Sequence, residues 1–98
     1  MIDIKSIRAD FPILDTAAYE KPLVYLDNAA TAQKPLPVLE ALHSFYTESC
    51  ANIHRGIHYL SERASASYEH ARESVRAFIN AEHAREIVFT RGTTEAIN

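Results

Sequence analysis

The chain has 98 residues, 47% of them hydrophobic and 23% charged, with a formal net charge of −3, a globular balance long enough for one small domain with a modest core. Lysine and arginine are dispersed under that negative balance, which excludes a basic stripe of the kind that binds nucleic acid. No apolar run approaches membrane-spanning length, and Met1-Ile2-Asp3-Ile4-Lys5 has neither the basic nor the apolar block of an export signal, so a cytoplasmic protein without membrane partners is expected.

In chain order, Ile4, Ile7 and Phe11 share one helical face, with Asp3 as N-cap and Pro12 as a stop, which predicts a short amphipathic helix over 3–11. Residues 13–22 read as a polar loop. It leads into a β-prone run, Leu23-Val24-Tyr25-Leu26, that ends in the small-residue turn Asp27-Asn28-Ala29-Ala30-Thr31. Pro35 and Pro37 then open a helix, where a missing N–H costs nothing. Val38, Leu39, Leu42, Phe45 and Tyr46 form its apolar stripe to about Cys50, with core packing as the expected use. Cys50 has no base placed beside it and reads as a small, buried or half-buried residue rather than a nucleophile. As the one cysteine of the chain it also excludes an internal disulfide. Lys5, Lys21 and Lys34 occupy no apolar setting of the kind that activates an amine.

The loop Ala51-Asn52-Ile53-His54-Arg55-Gly56-Ile57-His58 is dense in polar chemistry. His54 and His58 are four apart, but Gly56 between them argues for a loop, so no metal site is expected. His54 offers a planar ring that can stack or donate near a ligand, and Arg55 is a permanent cation suited to a carboxylate or a subunit contact. Two partly buried histidines satisfying loop carbonyls is an equally good account. Leu60, Ala64, Tyr68, Ala71, Val75 and Phe78 follow at intervals of three and four, which predicts a long amphipathic helix capped by Ser61 and ending near Asn80. Glu69 with Arg72, and Glu73 with Arg76, are spaced to pair on its solvated side.

The last stretch carries most information. Ile87, Val88 and Phe89 form a short strand buried on both faces, Gly92 supplies the corner, and Thr93 or Thr94 stands at or near the cap of the next helix. Unpaired N–H groups and the positive end of the helix favour a phosphate there. An ordinary strand–turn–helix joint explains the same residues more simply. Neither G-x-G-x-x-G nor G-x-x-x-x-G-K-[ST] is present. The strand at 87–89 has only 23–26 to pair with, and a two-stranded sheet is marginal. The chain is therefore expected to be the N-terminal piece of a longer α/β protein whose other strands complete the sheet.

Four segments, Ile7-Arg8-Ala9-Asp10-Phe11-Pro12, Tyr25 through Pro35, Asn52 through Ser61 and Phe89 through Asn98, closely resemble the N-terminus of the SufS-type (group II) cysteine desulfurases, in the class V aminotransferase family of pyridoxal-phosphate enzymes. The resemblance runs over essentially the whole chain and corresponds to about the first quarter of such an enzyme. It implies the N-terminal portion of an α/β, fold type I PLP-dependent transferase: 1–34 as an arm and first strand, 35–98 as helices and the start of the cofactor-binding large domain, in a homodimer. It further implies that Thr93 and Thr94 bind the phosphate of pyridoxal 5'-phosphate, that Ala29, Ala30 and His54 lie beside the substrate, and that Arg55, Arg91 and Glu95 are interface residues.

The reaction so implied takes L-cysteine to alanine and an enzyme persulfide, whose sulfur passes to an acceptor protein for iron–sulfur cluster assembly. The lysine that holds the cofactor and the persulfide cysteine are expected beyond Asn98, because neither Lys34 nor Cys50 matches their motifs. The chain by itself is thus expected to be inert. Competing readings are a selenocysteine lyase or another class V member, a non-catalytic helical interaction module, and a small phosphate or nucleotide binder.

Overall fold

The computed structural model describes residues 1–98, which fall into two units, Met1–Glu48 and Ser49–Asn98. Each has its own local logic.

In the first unit, helix α1 (Ile4–Ala9) starts where the Asp3 carboxylate accepts the N–H groups of Lys5 and Ser6 at 3.1 and 3.3 Å. Pro12 ends the helical run and itself opens a 3-10 turn, Pro12–Asp15. The stretch expected to be a polar loop then contains a tight hairpin. Strands β1 (Ala17–Ala18) and β2 (Lys21–Pro22) run antiparallel, with Ala17 opposite Pro22 and Ala18 opposite Lys21. Tyr19 and Glu20 turn the corner at φ 52° and 63°, the left-handed pair of a two-residue hairpin loop.

The strand expected at 23–26 does not form. Leu23 donates its N–H to Thr16 O at 3.1 Å, the segment beyond it joins no ladder, and Val24 and Leu26 remain 76% and 89% exposed. A β-prone run needs neighbours to become a strand, and this unit lays none beside it. The turn that follows is closed by Asp27 O, which accepts from Ala30 and Thr31, and by the Tyr25 hydroxyl, which donates to Thr31 O at 2.7 Å.

Helix α2 (Leu36–Ser44) has Pro35 as N-cap and Pro37 in its first turn. Its leading N–H is anchored by Asp10 O at 2.6 Å. The helix then widens into a π-helical turn, Phe45–Ser49, where the Thr47 hydroxyl donates to His43 O at 2.8 Å and competes with the backbone ladder. The apolar stripe of α2 finds no core: Val38, Leu39, Leu42 and Tyr46 are all exposed, as is Cys50 just beyond the turn, against the expectation of a buried or half-buried residue.

In the second unit the long helix α3 (Tyr59–Phe78) is capped by His58, not by Ser61: the His58 imidazole Nδ1 accepts the Ser61 N–H at 3.4 Å. Its other end closes as expected near Asn80, which is left-handed at φ 57°. Asn80 and Ala81 donate to Ala77 O and Arg76 O, the paired bonds of a Schellman ending. A 3-10 turn, Ala84–Glu86, follows, with the His83 N–H on the Glu86 carboxylate at 2.9 Å. That turn delivers Ile87 to the helix. Ala64 and Ile87, 2% and 7% exposed, are the apolar residues that this unit buries. Residues 87–89 again form no ladder, and Val88 is 75% exposed, so only one face of the expected buried strand is covered here. Helix α4 (Thr93–Ile97) ends the described chain.

Candidate functional site

The corner before α4 puts five of the residues singled out from the sequence in one place. Arg91, Gly92, Thr93, Thr94, Glu95 and Asn98 line an open concavity of about 720 Å³. Gly92 is the N-cap, and no side chain caps the helix; Thr93 and Thr94 are its first two residues rather than the cap itself. The first-turn N–H groups thus have no side-chain acceptor and remain available as donors to a ligand. A Cβ added at Gly92 would meet no atom within 4 Å. Glu95 brings a negative charge to the same corner, and its carboxylate accepts the Arg91 N–H at 2.6 Å and lies 3.5 Å from the Arg91 Nε. Arg91 offsets that charge.

The loop between α2 and α3 is knit to α3 by a polar ladder. Ser61, Ser65 and Glu69 stand on successive turns of one helix face. The fully buried Ser61 hydroxyl donates to Asn52 O at 2.6 Å and accepts the Gly56 N–H at 3.2 Å. Ser65 Oγ accepts the His54 N–H at 3.0 Å. The Glu69 carboxylate lies 3.1 Å from the His54 Nε2, while its other oxygen is 3.5 Å from the Arg72 guanidinium. His54 is exposed and left-handed, at φ 58°.

Its ring meets Tyr68 edge to face at 5.7 Å, and Tyr68 meets Phe89 in the same way at 5.2 Å. Arg72 stacks over the Tyr68 ring at 5.2 Å. The chain that leads to Thr93 and the loop that carries His54 are therefore braced by one aromatic ring. His54 and His58 do not converge, since His58 faces Ser61. Arg55 is exposed. Ala29 and Ala30 sit in the first unit's turn, both exposed, with no side chain beyond Cβ to occupy the space in front of them.

Sequence reasoning found the ends of this arrangement and missed its middle. Glu69 was expected to be solvated surface paired with Arg72; it also holds His54. The signal was present as polar residues at 61, 65 and 69, a spacing of four on an otherwise amphipathic helix.

The Aminotransferase class-V family model matches residues 24–98, and the chain belongs to that family. It is 54% identical over 98 residues to a probable cysteine desulfurase 1 of Mycobacterium leprae, covering 100% of this chain and 16% of that protein. It is 57% identical over 93 residues to a probable cysteine desulfurase of Synechocystis, covering 95% of this chain and 22% of that protein. The apo structure of a cysteine desulfurase from Thermococcus onnurineus superposes with a TM-score of 0.85 at 39% identity, over 99% of this chain and 22% of that one. The fold is accordingly the N-terminal portion of the α/β, fold type I architecture. The chain spans 16% and 22% of the length of the curated relatives named here.

Proposed function

We propose that this chain is the N-terminal part of a pyridoxal-phosphate-dependent cysteine desulfurase, which converts L-cysteine to L-alanine and passes the sulfur, as an enzyme persulfide, to an acceptor protein for iron–sulfur cluster assembly. The corner at Gly92, Thr93 and Thr94 carries the reading. A phosphate needs convergent donors, room and a neutralising charge. The uncapped first turn and the open space over Gly92 supply donors and room, and Arg91, by offsetting Glu95, leaves the corner without a net negative charge to repel the phosphate.

When bound, pyridoxal 5'-phosphate supplies an electron sink for the substrate α-carbon. The chain's own residues do the holding: Thr93 and Thr94 grip the phosphate through N–H and hydroxyl donors, Ala29 and Ala30 leave room for the substrate, and His54 lines the entrance. Arg55, Arg91 and Glu95 belong to a homodimer interface. The enzyme is proposed to be cytoplasmic; no helix is long and apolar enough to cross a membrane.

The lysine that holds the cofactor and the cysteine that carries the sulfur belong, in this reading, to sequence beyond Asn98, and Lys34 and Cys50 have no catalytic role. A larger parent is supported by the relatives, which are several times longer than this chain.

The test is to assay alanine and sulfide release from L-cysteine by the full-length protein and by this chain alone. Turnover by the full-length protein with none by the chain supports the reading. Robust turnover by the chain alone overturns the fragment assignment, and a full-length protein that acts only on selenocysteine overturns the substrate assignment.

A further inference from the structure

We propose that Glu69 is a positioning residue for His54, fixing which ring nitrogen the histidine presents. The inference deepens the functional reading above, because it rests on His54 lining the substrate entrance.

Three contacts converge on His54. Its backbone is pinned by the Ser65 hydroxyl at 3.0 Å, its ring edge lies against Tyr68 at 5.7 Å, and its Nε2 faces the Glu69 carboxylate at 3.1 Å. A carboxylate accepts rather than donates, so this 3.1 Å approach favours the tautomer that carries its proton on Nε2. In the neutral ring the lone pair then sits on Nδ1. In that tautomer His54 offers a ligand an acceptor at Nδ1, while Nε2 faces Glu69.

Glu69 is itself held. Its second oxygen is 3.5 Å from the Arg72 Nη1, and the Arg72 guanidinium is stacked over the Tyr68 ring that abuts His54. Arg72 keeps this place although its Nε is buried without a hydrogen-bond partner, an arrangement that costs free energy. The left-handed backbone at His54, φ 58°, is a second cost at the same spot. Two unfavourable local features around one imidazole are what an orientation requirement would retain. A solvated surface pair would require neither.

The experiment uses the full-length protein with Glu69→Ala, Glu69→Gln and His54→Ala, alone and combined, read by crystal structures and by steady-state kinetics with L-cysteine. In the Glu69→Ala structure the His54 ring is expected to leave the edge of Tyr68. Glu69→Gln retains a carbonyl acceptor and is expected to keep the ring in place. Glu69→Ala should raise KM about tenfold with kcat within about twofold, the scale of one charge-assisted hydrogen bond. It should add nothing in the His54→Ala background.

An unmoved His54 ring in Glu69→Ala overturns the proposal, and so does an equal kinetic loss with or without His54. Should the wild-type protein lack desulfurase activity, the functional reading fails, yet the ring position in the two Glu69 variants still decides this one.

Discussion

Gly56 and Ser61 approach so closely that a Cβ on the glycine would sit 2.7 Å from both the Cβ and the Oγ of the serine. The serine belongs to the first turn of α3 and cannot retreat, so the loop would have to move. Gly56→Ala is expected to destabilise the second unit by about 1–3 kcal/mol through overpacking. Ser61→Ala strands the Asn52 carbonyl and the Gly56 N–H, and should cost about 1–3 kcal/mol. The two losses should not add, because both variants break the same contact. Urea unfolding of the full-length protein measures each, with the midpoint shifting at constant slope.

The hairpin corner at Tyr19 and Glu20 holds two ordinary side chains in left-handed backbone, at φ 52° and 63°. Each pays the steric penalty that Asn or Gly avoids, about 1–2 kcal/mol per residue. Tyr19→Asn with Glu20→Gly is expected to stabilise the hairpin, by less than the full sum because glycine also gains freedom in the unfolded chain. Slower hydrogen exchange at the Leu23 N–H, which Thr16 accepts just outside the hairpin, would register the gain. An unchanged or faster rate contradicts it.

On α3, the Arg76 guanidinium grips Glu73 with Nε at 2.7 and 2.8 Å from the two carboxylate oxygens. That hydrogen bond holds the Glu73 carboxyl below its ordinary value, against an opposing effect of desolvation and with help from the attraction of the same charge. A depressed folded value means that the stabilisation is present above the unfolded carboxylate range and is lost as pH falls through the folded one. Glu73→Gln should therefore be less stable than wild type at neutral pH, with the gap closing in acid below the usual carboxylate range. The effect is small, as exposed pairs are, and salt should shrink it. Paired thermal melts across pH test the sign: a gap that widens in acid refutes the assignment.

Thr93→Val and Thr94→Val each remove a hydroxyl donor while keeping the shape of the side chain. If the corner grips a phosphate, each should weaken pyridoxal 5'-phosphate binding by the full-length protein about tenfold, the loss of one hydrogen bond to a charged group. Equilibrium titration of the apo protein, followed by cofactor absorbance, gives the ratio. Equal affinity in both variants would place the phosphate elsewhere.

Local signals were legible where the cause is local. Asp3 capping α1, Asn80 ending α3, the Glu73–Arg76 pair and the turn into α4 all follow from residues a few positions apart. The hairpin at 17–22 escaped because Tyr19-Glu20 is not turn chemistry. Ser61 was taken for the cap of α3 because serine is a favoured capping residue, whereas the histidine three positions earlier does that work. The runs at 23–26 and 87–89 carry strand composition without forming a ladder, since pairing depends on partners that composition does not supply. At the candidate site, Thr93, Thr94 and His54 stood out as residue types, while Glu69 and Tyr68 acquire meaning only through the packing of α3.

The left-handed φ of His54 sets two kinds of selection against each other. In a randomised library at this codon, survival of heat alone would enrich glycine and asparagine, which tolerate that backbone most cheaply. If His54 serves the proposed function, growth that depends on that function would return histidine, and the disagreement between the two winners would report how much the imidazole is worth to the organism.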